Sequence, residues 1–146
     1  VIRAVVDTNV FVSGFFWKGP LRSVFEAALG RGFLSVISDD IAAELRRVID
    51  RPKFRKHLEQ QRIDSAGLIT AIRSVSLIVQ PLPVPMDAVR DSKDRMILAC
   101  AVGGQVDYVV SGDKDLLILG SYEGINVVSP VEFLHRLTLS MNIGEL

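Results

Sequence analysis

From Val1 to Val6 the chain is dominated by β-branched and small apolar residues that do not alternate with polar ones. That pattern predicts a central strand covered on both faces rather than a half-exposed one. The run meets Asp7 and then Thr8 and Asn9, after which Gly14 and Gly19 bracket a predicted loop or short turn carrying Phe15, Phe16 and Trp17. Pro20 just inside the start and Gly30 just past the end predict a helix over LRSVFEAAL. FLSVIS reads as the second strand. Ser38, Asp39 and Asp40 all offer caps for the helix IAAELRRVI, in which Glu44 sits about one turn from the start.

Arg51-Pro52 breaks that helix, the segment from Lys53 to Gln61 predicts a short basic one, and Asp64 or Ser65 caps another through about Val75. SLIVQ predicts a short third strand, while PLPVP, with proline at every second position, predicts an extended connection. RDSKDRMILACA follows, with Asp91 and Asp94 three residues apart at the start of an apolar helix from about Lys93 to Val102 that Gly103 and Gly104 end. VDYVV predicts the fourth strand, with Ser111, Gly112 and Asp113 as its exit loop and a short helical turn over Lys114 to Leu119. NVV predicts the last strand, and Ser129-Pro130-Val131-Glu132 is a capping box opening the helix VEFLHRL. The closing TLSMNIGEL has no strong pattern and reads as a loose or association segment.

Strands alternate with helices and no repeat is visible. The expected fold is α/β, a three-layer α/β/α sandwich with a mostly parallel central sheet. One domain is expected over residues 1–137, with 138–146 as a C-terminal tail. Hydrophobic residues make up 49% of the chain and charged ones 23%, as in a compact globular protein. No apolar run approaches the roughly 20 residues that span a bilayer. The opening run reads as a strand rather than a leader, so a soluble, cytoplasmic protein with no membrane partner is expected. Cys100 is the sole cysteine. It excludes an internal disulfide and a Cys-based zinc cage, and reads as a small core residue.

The 17 basic and 17 acidic residues cancel, but not locally. RRVIDRPKFRKHLEQQR, from Arg46 to Arg62, holds seven Lys or Arg against Asp50 and Glu59, a surplus of five positive charges that the rest of the chain balances. A solvated helix face and a polyanion site both fit that run.

In open α/β sheets ligands bind beyond the carboxyl ends of the strands. That rule makes several acids comparable: Asp7 ends the first strand, Glu44 lies one turn into the helix after the second, Asp113 ends the fourth, and Asp94 opens the helix leading into it. Carboxylates meeting at such an edge repel one another, by about 4 kcal/mol for a pair at about 4 Å and an effective dielectric of 20. A donor set of oxygens alone, without His or Cys, favours a hard cation, Mg²⁺ or Mn²⁺, over zinc. The chemistry that needs such an ion, with no nucleophilic side chain in view, is phosphodiester hydrolysis.

Four blocks in this order, V-V-D-T-N-V, S-x-x-x-x-x-E, D-x-x-D-R-x-x-L-A-x-A and D-Y-V-V-S-G-D-K-D-L, resemble the PIN-domain ribonucleases, and S-P-V-E-F-L is similar to that family's last helix. The resemblance extends to about Leu137 and is greatest to the prokaryotic single-domain (VapC-like) toxins of type II toxin–antitoxin pairs. It implies a Mg²⁺- or Mn²⁺-dependent endoribonuclease with Asp7, Glu44, Asp94 and Asp113 as the catalytic metal site and Asp91 and Asp115 as auxiliary acids. Thr8, Asn9 and Ser111 would hold carboxylates through hydrogen bonds. RNA would be the substrate, and an antitoxin protein and a second copy of the chain the partners. Phosphate binding falls to Arg46, Arg47, Arg51, Lys53, Arg55 and Lys56.

Local alternatives stand beside these roles. Asp91 and Asp94 form a capping box in sequence, Glu44 can pair with Arg47 or Arg51, Asp113 suits a turn, and Asp115 suits the positive end of a short helix. Asp39 and Asp40 are assigned to capping. His57 is read as a surface residue rather than a proton donor. Phe15, Phe16 and Trp17 are open between base stacking, core packing and dimer contacts. A phosphotransferase with a nucleophilic Asp would carry a second acid two residues after Asp7, where Asn9 stands. A signalling receiver would place an acceptor Asp after the third strand, which ends instead in Gln80 and prolines. The non-enzymatic alternative is a catalytically inactive domain that binds nucleic acid or an antitoxin.

Overall fold

A computed structural model describes residues 1–144. Its strands are β1 (Arg3–Val6), β2 (Leu34–Ile37), β3 (Ser76–Ile78), β4 (Tyr108–Val110), β5 (Ser121–Tyr122) and β6 (Ile125–Val128). The helices are α1 (Thr8–Phe16), α2 (Pro20–Leu29), α3 (Asp39–Ile49), α4 (Pro52–Gln61), α5 (Ser65–Ser74), α6 (Ser92–Gly103), α7 (Lys114–Leu117) and α8 (Pro130–Gly144). One sheet runs in the order β3-β2-β1-β4-β6-β5, parallel throughout except for β5. The three-layer α/β/α arrangement follows, with helices closing both faces.

The unalternating run in β1 finds its explanation here. Ala4, Val5 and Val6 are fully buried because β1 lies mid-sheet between β2 and β4, with Ala4 beside both Ser35 and Tyr108. The chain walks outward from β1 through β2 to β3, then α6 carries it back to β4 on the far side of β1. Strand order therefore reverses between β1 and β4, and the loops leaving those two strands diverge to open a crevice. Val6 pairs with Val110, so Asp7 and Ser111 emerge side by side, and the ladder continues one step as Asp7 N donates to Val110 O at 2.8 Å.

Three local readings of the sequence differ from the structure. The predicted loop from Gly14 is helical up to Phe16, and only Trp17 to Gly19 separate α1 from α2. Gly14 lies inside the helix because α2 crosses it there: a Cβ would collide with the carbonyl oxygen of Leu21. That close approach outweighs the roughly 1 kcal/mol that glycine costs a helix interior. β5 went unread because it is two residues long and turns through Glu123 and Gly124, both with positive φ (48° and 81°), where Glu is an unusual choice. The residues from Thr138 to Gly144, read as a loose or association segment, continue α8. The last two positions of that expected tail, 145–146, lie outside the described residues. Cys100 is buried as predicted, with burial pushing its thiol up to about 12. No helix among the described residues is long and apolar enough to cross a membrane.

Candidate functional site

A cleft of about 150 Å³ opens where β1 and β4 end, lined by Asp7, Thr8, Asn9, Glu44, Arg51, Asp91, Lys93, Asp94, Met96, Ile97 and Asp113. Five helices or their caps converge on it: α1, α3, α4, α6 and α7. Asp7 leaves β1 as the N-cap of α1, its Oδ1 accepting from Asn9 N at 3.3 Å. Ser111, fully buried after β4, donates its hydroxyl to Asp7 Oδ2 at 2.7 Å and accepts from Asp113 N at 3.0 Å. One serine thus ties the two strand ends together. Asp113 in turn caps α7 by accepting from Asp115 N at 2.7 Å. Oxygens of Asp94, Asp113 and Asp115 all lie within 4.8 Å of one another.

The ambiguity over Asp91 and Asp94 resolves on burial. Asp91 is the N-cap of α6, accepting from Lys93 N at 2.7 Å, and stays exposed. Asp94, a turn further in, is only 6% exposed, and its Oδ2 is buried without a hydrogen-bond partner. A carboxylate held that way is costly, since burial penalises charge and no hydrogen bond from the described residues reaches that oxygen. Its pKa is accordingly pushed up to about 6, by burial first and then by the charges of Asp113, Asp91, Asp7 and Asp115. Asp7 is raised as well, mainly by burial, against the lowering effect of the bonds from Ser111 and Asn9. The orphaned oxygen and the all-carboxylate donor set fit a hard divalent cation, which would supply the missing partner and the missing positive charge together.

Glu44 projects from α3 into the same cleft and is tied on two sides, to Arg47 at 2.7 Å and to Lys93 at 3.4 Å. The pairing foreseen with Arg47 is present, and it does not remove Glu44 from the cleft. Lys93 was missed by the sequence reading. Its signal was a cation between two acids at the mouth of α6, Asp91-Ser92-Lys93-Asp94. Thr8 is buried against the cleft, and Asn9 contributes its backbone N–H to Asp7.

Of the basic stretch, Arg51 alone lines the cleft, as the N-cap residue of α4. Arg46 is engaged with Asp50 at 3.0 Å and Arg47 with Glu44, while Lys53, Arg55 and Lys56 are exposed along α4. The three early aromatics separate. Phe16 is buried and stacks on Phe54 at 4.7 Å, Phe15 packs edge-on against Phe16 and Phe25, and Trp17 stays exposed beside His57. Ser38 caps α3, leaving Asp39 to pair with Arg73 at 3.2 Å.

No curated protein sequence matches this chain. A family model described as the PIN domain matches residues 3–115. That span runs from the first residue of β1 through Asp115, and so takes in every acid at the cleft. PIN domains are generally a nuclease fold and are typically metal-dependent. A parallel sheet reversing at β1 and β4, a carboxylate cluster at that reversal and a match across most of the chain agree: this chain belongs to the PIN-domain family.

Proposed function

We propose that the protein is a Mg²⁺- or Mn²⁺-dependent endoribonuclease that hydrolyses RNA phosphodiester bonds. The observation carrying this reading is Asp94, a buried carboxylate with one oxygen unpartnered among the described residues, which clusters with Asp113 and Asp115 at the reversal of the sheet. Asp7, Glu44, Asp94 and Asp113 would hold the cation, with Asp91 and Asp115 at its margin. When bound, such a cation lowers the pKa of water and screens the negative charge that grows on a phosphodiester under attack.

The chain's own residues do the rest. Ser111 and the Asn9 N–H fix both oxygens of Asp7 in place, so the carboxylate meets its ligand already oriented. Arg51 and Lys93 line the cleft from α4 and α6 and would orient the scissile phosphate and the one beside it. Lys53, Arg55 and Lys56 extend positive charge along α4, and Arg46 and Arg47 add to it on α3.

By the same reading the protein is the cytoplasmic toxin of a type II toxin–antitoxin pair, with an antitoxin and a second copy of itself as protein partners. Residues 1–137 form the nuclease unit and 138–146 an association segment. The test is cleavage of mixed-sequence RNA with Mg²⁺ or Mn²⁺, with Asp94→Asn alongside. Cleavage by the unmodified chain alone supports the reading, and equal cutting by both sinks it.

One observation favours a second reading, a domain that binds nucleic acid without turnover. Glu44 is held by two cations that a metal would have to displace. Metal-dependent RNA binding with no cleavage across varied RNAs would select it.

A further inference from the structure

Trp17 is 47% exposed, although its neighbours Phe15 and Phe16 are drawn into the core. An exposed apolar residue alone needs no explanation. The surroundings of this one do. Its indole meets the His57 imidazole edge to face, with centroids 5.0 Å apart at 86°. The position is built rigidly: Trp17 N donates to Ser13 O at 2.8 Å, and Arg22 donates to the carbonyls of Gly14 and Phe15 at 2.7 and 2.9 Å. Phe16 anchors the same corner through its stack on Phe54, over which Lys53 Nζ lies 4.8 Å from the ring centroid. Lys18 follows Trp17 in the chain, and exposed Lys53, Arg55 and Lys56 precede His57 on α4, where the first acid is Glu59.

Both helices that meet at this corner begin at the acidic cleft. α1 starts at Thr8 and α4 at its N-cap Arg51, and both residues line the cleft. At a rise of about 1.5 Å per residue, Trp17 lies about 15 Å along α1 from Asp7, and His57 about 9 Å along α4 from Arg51. A strand whose phosphate sits at Arg51 and follows α4 therefore reaches the indole.

We propose that Trp17 and His57, with Lys18, Lys53 and Lys56, form a base-stacking subsite for single-stranded RNA beside the acidic cleft. The inference rests on the nucleic-acid reading of that cleft. An exposed aromatic face accepts any base, so the subsite adds affinity without sequence preference, while the lysines neutralise the phosphates that flank the base. A paired strand keeps its base faces stacked inside the duplex, which selects single-stranded substrate. The surplus of positive charge on α4 favours a polyanion over a second copy of this basic face.

Trp17 is the chain's only tryptophan, so intrinsic fluorescence reports on it alone. Binding is measured on the full chain carrying Asp94→Asn, so that the probe is not consumed. A short mixed-sequence single-stranded oligoribonucleotide is expected to quench the emission, and an abasic oligomer with the same number of phosphates is not. By anisotropy of an end-labelled oligonucleotide, Trp17→Ala added to that chain should weaken binding roughly 5- to 100-fold, as loss of one base stack does. It should leave the salt slope unchanged, whereas Lys56→Ala lowers the slope by about 0.7. Trp17→Phe, which keeps a π face, should restore most of the affinity. Equal quenching by the abasic oligomer, or unchanged affinity in Trp17→Ala, overturns the subsite. An emission shift that follows protein concentration without RNA, together with no RNA quenching, assigns the face to protein association and also overturns it. Cleavage by the unmodified chain is scored separately. Intact cleavage with no Trp17 effect removes the subsite alone, and base-dependent quenching without cleavage keeps the subsite while removing the nuclease reading.

Discussion

In metal-free protein near neutral pH, Asp94→Asn should stabilise the fold. The Asp94 carboxyl is pushed from its ordinary value near 3.8 to about 6 by burial and by neighbouring acids. At about 1.4 kcal/mol for each pH unit, that displacement corresponds to about 3 kcal/mol of strain in the ionised form. Part of it comes from exposed acids that water and salt screen, so about 1–2 kcal/mol is the working figure. The sign follows from the upward shift. Stability from this group is fully present below about pH 3.8 and is lost as pH rises through about 6. The amide carries no charge, so the variant escapes that loss.

Thermal unfolding in a chelator, followed from pH 4 to pH 7.5, should therefore show the two proteins converging at the acid end. At pH 7.5 the variant should melt roughly 2–8 °C higher, taking about 2–4 °C per kcal/mol for a chain of this size. Saturating Mn²⁺ should reverse the order, because only the wild type regains the ligand. At 100 times the dissociation constant the gain is about 2.7 kcal/mol. A variant less stable than wild type at pH 7.5 without metal, or a difference that ignores pH, refutes the account of Asp94 as an uncompensated buried charge.

Ser111→Ala removes both the donor to Asp7 Oδ2 and the acceptor for Asp113 N. It should cost about 1–3 kcal/mol in urea unfolding, and an unchanged midpoint would show that the strand ends do not depend on it. Gly14→Ala adds a better helix former yet should destabilise by about 1–3 kcal/mol, because the new methyl meets the Leu21 carbonyl. A stabilised variant in the same assay would mean that α1 and α2 separate easily. Arg51→Ala should weaken RNA binding and lower the salt slope by about 0.7, since Arg51 lines the cleft. Arg46→Ala, already paired with Asp50, should change the slope less. Equal slopes for the two variants would deny Arg51 its place at a phosphate.

Local pattern was enough to read five of the six strands and most of the helices. An apolar run without alternation can only be buried on both faces, which marked β1 as central before its neighbours were known. Pro20, Gly30, Asp64 and the Ser129-Pro130 start were legible because caps act within a turn of chain. The acids at strand ends were legible as a set because an alternating α/β chain brings those ends to one edge. Tertiary structure decided what no local window contains. Whether Asp94 is a capping partner or a buried acid depends on the reversal between β1 and β4, which sets Asp113 and Asp115 against it. Gly14 reads as a loop signal until α2 crosses over it, and three adjacent aromatics look alike until Phe54 and His57 arrive from a separate helix. Glu44 acquires Lys93 only when α3 and α6 meet. Periodicity and capping are local energies that sequence carries directly, whereas burial and charge coupling are properties of residues brought together from distant parts of the chain.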